Sequence, residues 1–411
     1  MLNVPFYLLC VFAFFMPWET LGGLKELPTV ARLLGALTLV VGLLAIVASM
    51  KIRRMPFAFV VMIVFAFLCL LSISWATDSE KALAGTPTIL LLLLFVWLIW
   101  EFAPTVEDQL WLMRSFIYGH SVPIVMQFTS FRAMGASLGD DQTRYSGGGH
   151  DANYYSELLS MAALFCAYII LHTRQTKGKI PLRYLAFIPI IGIAIMLTGS
   201  RTGFVALLCA GACILFVLRF GGWKIIAGFV VVAGALVFLI PRFTPAGLMT
   251  RVTEGTGFSV EKLGARAQIW EGAITAFWER PILGQGINCA SEAIGQASGH
   301  YNVAHNLFLS ILVELGIVGL AIYLLLLFFL LLAILSMPKA QKWFWLSVML
   351  VWGLFAMSCG AQFDKLSWFL FAMILAQAAA FRNRALAAGA AVGRALPATN
   401  RLAPRFPPVP S

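Results

Sequence analysis

The sequence predicts an all-α polytopic membrane protein with about twelve transmembrane helices and one large loop that contains an amphipathic helix. Its 411 residues are 61% hydrophobic and 11% charged, whereas soluble domains carry roughly 25% charged residues. Stretches such as 89–100 and 322–335 are almost uninterruptedly apolar. A helix of about 20 apolar residues crosses a ~30 Å bilayer core and satisfies its own backbone polar groups there. The ten-residue alternation of a transmembrane barrel is not seen.

Apolar runs taken in chain order give the individual spans. The first run starts at the N-terminus without the basic region and cleavage site of a signal peptide, so we expect it to be retained. The fifth is the weakest, because Arg114, Tyr118 and His120 dilute it. The predicted spans lie near residues 4–18, 29–49, 56–75, 85–102, 109–127, 152–172, 183–198, 203–219, 224–241, 306–334, 343–360 and 366–381.

Lysines and arginines set the predicted orientation. Both termini are placed in the cytoplasm, because most basic residues then fall in cytoplasmic loops. The same rule accounts for the net charge of +11, which in a soluble protein would indicate a nucleic-acid partner. We therefore predict a transmembrane domain over 1–381, a cytoplasmic tail over 382–411 that is a short helical extension followed by a flexible end, and a long loop over 242–305 on the opposite side. The rule is weak for so long a loop, so its arginines are available to a ligand.

Arg201 lies in the tight turn Thr198–Gly203 between two predicted spans. An arginine is costly beside hydrocarbon and needs a partner there. Its planar fork of donors suits phosphate oxygens, which favours an anion-binding role. The alternative is an interface arginine that extends toward lipid phosphates.

Arg266 stands at the start of a second candidate segment. The residues that follow it place apolar side chains at helical spacing, namely Trp270, Ala273, Ile274 and Phe277. This pattern predicts an amphipathic helix on the membrane surface. With Arg266 in its first turn, the positive helix end disfavours the side chain, which is consistent with a ligand-binding role. The alternative is a solvated charge on a polar face.

His305 directly precedes the tenth predicted span. A helix N-terminus and nearby arginines both disfavour the charged imidazole, and the neutral form is the one that a general base needs. The alternative is a histidine that caps the helix or forms a hydrogen bond at the interface. Of two acids within spans, Glu314 is expected to bond between helices, and Glu157 to orient an arginine such as Arg144.

Motifs for cofactors and metals are missing from the sequence. No zinc-binding Cys/His spacing, phosphate-binding Gly-Lys-Ser loop or dinucleotide fingerprint occurs. The adjacent acids Asp140 and Asp141 offer too few ligands for a metal site. We therefore expect neither a metal nor a cofactor, and the chemistry would rely on charged side chains.

Four elements taken together resemble the O-antigen ligase/polymerase superfamily of bacterial envelope glycosyltransferases. They are the turn Gly199–Gly203, the motif Arg266-x-Gln268-x-Trp270, the turn Gly284-Gln285-Gly286, and His305-Asn306-Leu307-Phe308-Leu309 followed by Glu314-Leu315-Gly316. Arg144, with Gly147–Gly149 and Asn153 behind it, resembles an earlier element of the family. The resemblance extends over residues 140–335 of the chain.

The resemblance implies a metal-independent glycosyltransferase whose active site faces the periplasm from the bacterial inner membrane. The donor would be a glycan carried on undecaprenyl diphosphate. Arg201, Arg266 and Arg144 would bind the diphosphate, and His305 would act as the catalytic base on the acceptor hydroxyl. The acceptor would be the lipid A core in the ligase branch, a second lipid-linked glycan in the polymerase branch, or a protein Ser or Thr in the O-oligosaccharyltransferase branch.

Two observations favour the ligase branch. The protein-glycosylating branch usually carries extra C-terminal mass, whereas only a short tail follows the twelfth predicted span. Some polymerases have a glycine eleven positions after an outer-loop arginine, and none of the arginines on this side has one. From another functional class, a twelve-span transporter would need ionisable residues deep in several helices, and Glu314 is the main one here.

Overall fold

The computed structural model of the protein describes residues 3–18, 30–134, 151–224, 260–359 and 362–395, with a few positions between 226 and 238. Within these residues the regular structure is helical, and no strand occurs. The helices are α1 (Val4–Phe15), α2 (Val30–Ser49), α3 (Phe57–Leu71), α4 (Ser79–Phe102), α5 (Val106–Gly119), α6 (Ser121–Met134), α7 (Ala152–Lys177), α8 (Leu182–Leu197), α9 (Arg201–Leu218), α10 (Val260–Glu279), α11 (Ala290–Ser298), α12 (Leu307–Leu335), α13 (Lys339–Ala356) and α14 (Lys365–Ala395).

Seven of the described helices are long and apolar enough to cross a membrane, which fits a polytopic membrane protein. They are α2, α3, α4, α7, α9, α12 and α14, and each coincides with a predicted span. The apolar helices α1 and α8 are shorter, and α13 coincides with the span predicted at 343–360. The span predicted at 224–241 lies mostly outside the described residues, so the count of twelve stays a prediction.

The fifth predicted span, 109–127, is wrong as a single helix. The helix is interrupted there, since α5 ends at Gly119 and α6 begins at Ser121. Between them, the buried His120 places its Nδ1 2.8 Å from the carbonyl oxygen of Phe116. A Cβ at Gly119 would collide with the backbone of Phe14, so this glycine permits α1 to approach closely. The polar residues that weakened the prediction therefore mark a junction between two helices.

Polar residues at the expected positions begin several of the helices. Asp78 precedes α4 and accepts a hydrogen bond from the Lys81 backbone N–H at 3.0 Å. Thr105 and Asp108 form a reciprocal capping box at the start of α5. Such caps satisfy backbone N–H groups that have no acceptor within the helix, and they fix where each span starts.

The helices α7 and α14 form the centre of the bundle. In the most apolar 18-residue stretch of each helix, 94% of the residues of α7 and 78% of those of α14 are buried. The rings of Phe165 and Phe369 join the two helices with centroids 6.3 Å apart in an edge-to-face arrangement, a favoured geometry for aromatic pairs. On the other side of α7, a Cβ at Gly203 of α9 would clash with Ser156. Small residues thus bring α7 and α9 into close contact, as in other membrane bundles.

The two ends of the bundle differ in charge. We call the end at which α7, α9 and α12 begin the site end, and the other the basic end. By chain direction, the basic end receives the connections that follow α2, α7, α9 and α12. These connections and the adjoining turns contain Lys51, Arg53, Arg54, Arg174, Lys177, Lys179, Arg183, Arg219, Lys224, Lys339 and Lys342.

Residues 260–305 form a small helical unit at the site end. The helices α10 and α11 pack against each other and against α12, around an apolar cluster separate from the main core that contains Ile269, Ala273, Ala276, Ala290, Ala293, Ile294, Ala304 and Val313. The sequence did not predict α11. On the apolar face predicted for α10, Ala273 is buried within the unit, whereas Trp270 is 40% and Ile274 50% exposed; that this face lies on the membrane surface stays a prediction. A close approach of Gly272 to Ser298 of α11 turns the face with small residues inward instead.

The side chain of Gln285 connects this unit to the bundle. Its Oε1 accepts a hydrogen bond from Thr77 Oγ1 at 2.6 Å, and its Nε2 donates to the carbonyl oxygen of Ala276 at 2.9 Å. Nearby, Lys81 Nζ lies 2.6 Å from a carboxylate oxygen of Glu292, and this hydrogen bond lowers the pKa of the Glu292 carboxyl. The unit is therefore held to the turn between α3 and α4 by its backbone and by its side chains.

The helix α12 is broken at Gly316, which has φ 64° and ψ −164°. The segment 281–286 fills the break. Backbone N–H groups of Gln285 and Gly286 donate to the carbonyl oxygens of Val313 and Glu314 at 2.9 and 2.8 Å, and the Ile317 N–H donates to the carbonyl oxygen of Pro281 at 2.9 Å. Because hydrocarbon offers no partner for an open backbone group, this exchange makes the break tolerable inside a membrane helix.

Candidate active site

The turn that carries Arg201 is built rigidly. Ser200 caps α9 by accepting from the Gly203 N–H at 2.9 Å, and its hydroxyl donates to Asn153 Oδ1 at 2.6 Å. The buried hydroxyls of Thr198 and Ser156 lie 2.9 Å apart. The turn is thereby joined to the first turn of α7 by side-chain hydrogen bonds on both sides of Gly199, whose φ is 59°.

Arg201 itself is the first residue of α9 and is partly buried. The N-terminus of a helix carries a partial positive charge, and its backbone N–H groups bind anions well. A guanidinium at this position adds a full positive charge to that end. The arrangement is suited to a phosphate group and is unfavourable for a cation.

His305 adopts a left-handed backbone conformation with φ 49°. For residues other than glycine this region is sparsely populated, although histidine enters it more readily than most. Asn306, and not His305, caps α12, accepting from the Leu309 N–H at 3.1 Å. The alternative prediction that His305 caps this helix is therefore wrong, because the neighbouring residue Asn306 forms the cap.

Trp270 of α10 contacts the residue that precedes His305. Its indole Nε1 donates to the carbonyl oxygen of Ala304 at 2.9 Å, and Ala304 is completely buried in the apolar cluster of α10, α11 and α12. On the other side of His305, the Asn306 amide lies 3.7 Å from Met357 Sδ. The Asn306 carbonyl oxygen accepts from the Ser310 N–H at 2.9 Å, so the backbone on both sides of His305 is held by hydrogen bonds.

Arg266 lies in α10, but not where the sequence placed it. The helix begins at Val260, so Arg266 is its seventh residue and not part of its first turn. The argument from an unfavourable helix end was wrong, because the residues before Gly264 also form helix. Trp270 lies one turn further along the same helix. Arg266 and the residue that contacts Ala304 are therefore carried by one helix.

The helix α13 brings the two turns into one region. It packs against α7, α9 and α12. Met357, the residue that follows its last residue, contacts Asn306. The Arg201 turn contacts α7 through Asn153, and α7 in turn packs against α13. The structure therefore places the starts of α7, α9 and α12 at the same end, around the end of α13.

Two further sequence candidates have different outcomes. Arg144 lies outside the described residues, so its pairing with Glu157 stays a prediction; within the described residues, neither carboxylate oxygen of the buried Glu157 has a hydrogen-bond partner. Glu314 is 3% exposed and accepts a hydrogen bond from Gln362 at 3.4 Å, in the connection between α13 and α14. Its partner lies in a connection and not in a helix, so the predicted bond between helices is replaced by a bond from α12 to the connection before α14.

Sequence reasoning missed the parts of the site that orient other residues. The sequence predicts Trp270 as an apolar position of α10 and as part of the Arg266-x-Gln268-x-Trp270 motif, but not as a hydrogen-bond donor, although an indole at a polar boundary usually finds an acceptor. Gln285 was noted only as part of a turn. A glutamine between two glycines, followed by a glutamate before another glycine at 316, was the available signal for a backbone junction.

One comparison with known proteins finds a match, and it covers most of the candidate active site. A protein-family model described as O-antigen ligase matches residues 185–324. The matched stretch contains Arg201, Arg266 and His305, together with Trp270 and Gln285. Arg144 precedes it. No curated protein matches the chain.

Proposed function

The chain belongs to the O-antigen ligase/polymerase superfamily, and from this premise we propose that it is an O-antigen ligase. It would transfer a glycan from undecaprenyl diphosphate to a hydroxyl of the lipid A core, at the periplasmic face of the bacterial inner membrane. The observation that carries the proposal is the placement of the Arg201 and His305 turns at one end of the bundle, around the end of α13.

The proposed reaction needs a proton acceptor and a stabilised leaving group. His305 takes the proton of the acceptor hydroxyl, whose oxygen forms a bond to the anomeric carbon of the donor sugar. The bond from that carbon to the diphosphate oxygen breaks, and its electron pair stays on the diphosphate. Arg201 and Arg266 bind this group and stabilise the charge that it gains, with Arg144 as a third cation. The reaction balances without a metal or cofactor.

The rigidity of the Arg201 turn supports its role as a diphosphate ligand. A lipid-facing arginine gains from a mobile side chain that can follow the interface. Here the residue before Arg201 is held by Asn153 and Gly203, and the helix N-terminus beside it favours an anion. A preorganised group of this kind stabilises developing charge without the cost of reorganisation.

The backbone of His305 supports its role as the base. A residue held in a sparsely populated conformation costs on the order of 1–3 kcal/mol, and such residues concentrate at active sites. The contacts of Trp270 and Asn306 hold the flanking backbone in place. From this position at the start of α12, the imidazole would act on an acceptor that approaches the site end.

The distribution of charge supports the orientation of the site. Lysines and arginines are retained on the cytoplasmic side of a membrane protein, and the basic end collects them. The site end would then face the periplasm. A donor with a polyprenyl tail suits that location, because the tail stays in hydrocarbon while its sugar reaches water.

The polymerase and protein O-oligosaccharyltransferase branches are the alternatives, and they differ from the ligase in the acceptor. The deciding experiment supplies purified protein with a lipid-linked glycan and either lipid A core, no acceptor, or a Ser/Thr-containing acceptor protein. We expect glycan on lipid A core only. Lengthening of lipid-linked chains without an acceptor would mean polymerase, and glycosylated protein would mean the third branch.

A further inference from the structure

A cavity of about 520 Å³ opens between α1, α2, α4 and the start of α14. Its volume falls within the roughly 300–1,000 Å³ of typical ligand sites. Most of its lining is apolar, and α2 and α4 contribute equally to it; Leu91, Phe95 and Leu98 line it from α4, with Phe12 of α1 beside them. The helix α2 forms one wall of the cavity and packs loosely on the bundle, since only 17% of the residues in its most apolar stretch are buried.

The charged lining of the cavity comes from helix starts at the site end, whereas Thr38 and Thr88 lie further inside α2 and α4. Arg32 lies near the start of α2, Tyr154 in the first turn of α7, and Asp364 and Lys365 at the start of α14. Asp364 caps α14, accepting from the Ser367 N–H at 3.0 Å. Among the residues that the structure describes, the mouth therefore carries two cationic side chains and one carboxylate that serves as a helix cap, a net charge of one positive.

The mouth and the Arg201 turn share the first turn of α7. Tyr154 lines the cavity, while the residue before it, Asn153, accepts the hydrogen bond of Ser200 next to Arg201. A molecule with an apolar chain in the cavity would thus end at the helix turn that supports the candidate anion site.

We propose that this cavity holds part of the polyprenyl chain of the donor, with its charged mouth toward the phosphate end of the lipid. The inference rests on the proposed function, because only a lipid-linked donor brings such a chain to this site. An elongated apolar chain matches the lining of α4, and the charge of Arg32 and Lys365 complements a phosphate. The acyl chains of the acceptor are the competing occupant, and the test separates the two.

The test compares two neighbouring leucines of α4. Leu91 lines the cavity and is 48% exposed, whereas Leu90 is 39% exposed and does not line it. Tryptophan at either position adds the same bulk to the same helix. Binding of undecaprenyl phosphate, of the short-chain farnesyl phosphate and of lipid A is measured by native mass spectrometry on the full-length protein in detergent, so the readout does not depend on glycan transfer.

Leu91→Trp is expected to weaken undecaprenyl phosphate binding at least about tenfold, a free-energy change within reach of lost apolar burial. Farnesyl phosphate binding should change less, and Leu90→Trp should bind both lipids like the wild type. Arg32→Gln combined with Lys365→Gln should weaken both lipids. Should Leu91→Trp fail to fold, Ala36→Leu on α2, which also lines the cavity, replaces it.

Unchanged undecaprenyl phosphate binding by the folded cavity variants would overturn the proposal. So would a loss confined to lipid A, which would assign the cavity to the acceptor. A wild-type protein that binds the prenyl lipids in this pattern but transfers no glycan would contradict the proposed function and leave the cavity assignment intact.

Discussion

The indole Nε1 of Trp270 donates a hydrogen bond to the carbonyl oxygen of Ala304, across 2.9 Å and 34 positions of sequence. Ala304 has no accessible surface and belongs to the small apolar cluster at the site end. The next residue, His305, has φ 49°. An aromatic side chain of the helix that carries Arg266 therefore holds the peptide from which the proposed base projects.

Replacing Trp270 by Phe tests this support. The ring is kept and one hydrogen bond is lost, which costs roughly 0.5–1.5 kcal/mol. We expect kcat for glycan transfer to fall about two- to tenfold with little change in the donor KM, because the base is displaced and the donor site is kept. Trp278→Phe, on the same helix and 69% exposed in the wild type, is the control. An equal loss in both variants would contradict a positioning role for Trp270.

His305 is tested by two substitutions. Removal of a general base typically costs about 10²–10⁴-fold in rate, and we expect losses of this order for His305→Ala and His305→Asn. Asparagine tolerates the left-handed backbone, so the second variant separates lost chemistry from lost conformation. His300→Ala, at an exposed loop position five residues earlier, should transfer normally. Ligation by His305→Asn at the wild-type rate would eliminate His305 as the base.

Arg201→Lys tests whether the guanidinium geometry matters. A lysine keeps the charge but not the bidentate fork, so we expect transfer to fall about tenfold or more while insertion and yield stay normal. Arg183→Lys at the basic end provides the same substitution away from the site. Near-normal transfer by Arg201→Lys would favour an arginine that only contacts lipid phosphate.

Gly316→Ala is expected to destabilise the folded protein. Its backbone region is nearly confined to glycine, and occupying it costs other residues on the order of 1–3 kcal/mol; a Cβ would in addition collide with the backbone of Ile282. A lowered midpoint of thermal unfolding in detergent measures the effect. At Gly211 of α9, where a Cβ meets no atom within 4 Å, the same substitution should be neutral or stabilising. Equal midpoints for the two variants would contradict a constrained break.

Chelation tests the expected absence of a metal. Since paired arginines can stabilise the leaving diphosphate, transfer should persist in excess EDTA. Activity that is lost in EDTA and restored by a divalent cation would overturn the metal-free mechanism.

Much of the fold was predictable from hydropathy. Every backbone group of a helix is satisfied locally in a bilayer, so apolar length alone located the seven helices long enough to cross it. The positions of Arg201 and His305 at helix starts were also predictable, because short turns leave little choice. In contrast, the junction at His120 depends on packing against Phe14 of α1, a tertiary contact that span length does not encode.

The parts of the site that could not be predicted depend on distant partners. The break in α12 needs the backbone of segment 281–286, and nothing in the apolar run around Gly316 reveals it. The helix α11 does have apolar residues at helical spacing, Ala290, Ala293, Ile294 and Ala297, but it is only nine residues long and three of the four are alanines, so the repeat is easily passed over in a loop. The burial of Ala304 and the contact of Trp270 follow from the packing of α10 and α11.

The segment that completes the broken helix precedes that helix in the chain. Residues 281–286 therefore leave the ribosome before Gly316 and are already synthesised when the interrupted helix emerges. Protein synthesis proceeds from the N-terminus at about 5–20 residues per second. The backbone groups left open at the break in α12 therefore need no partner from a segment that is synthesised later. The order of these two elements along the chain thus makes the partner of the interruption available during biogenesis, at the time when α12 enters the membrane.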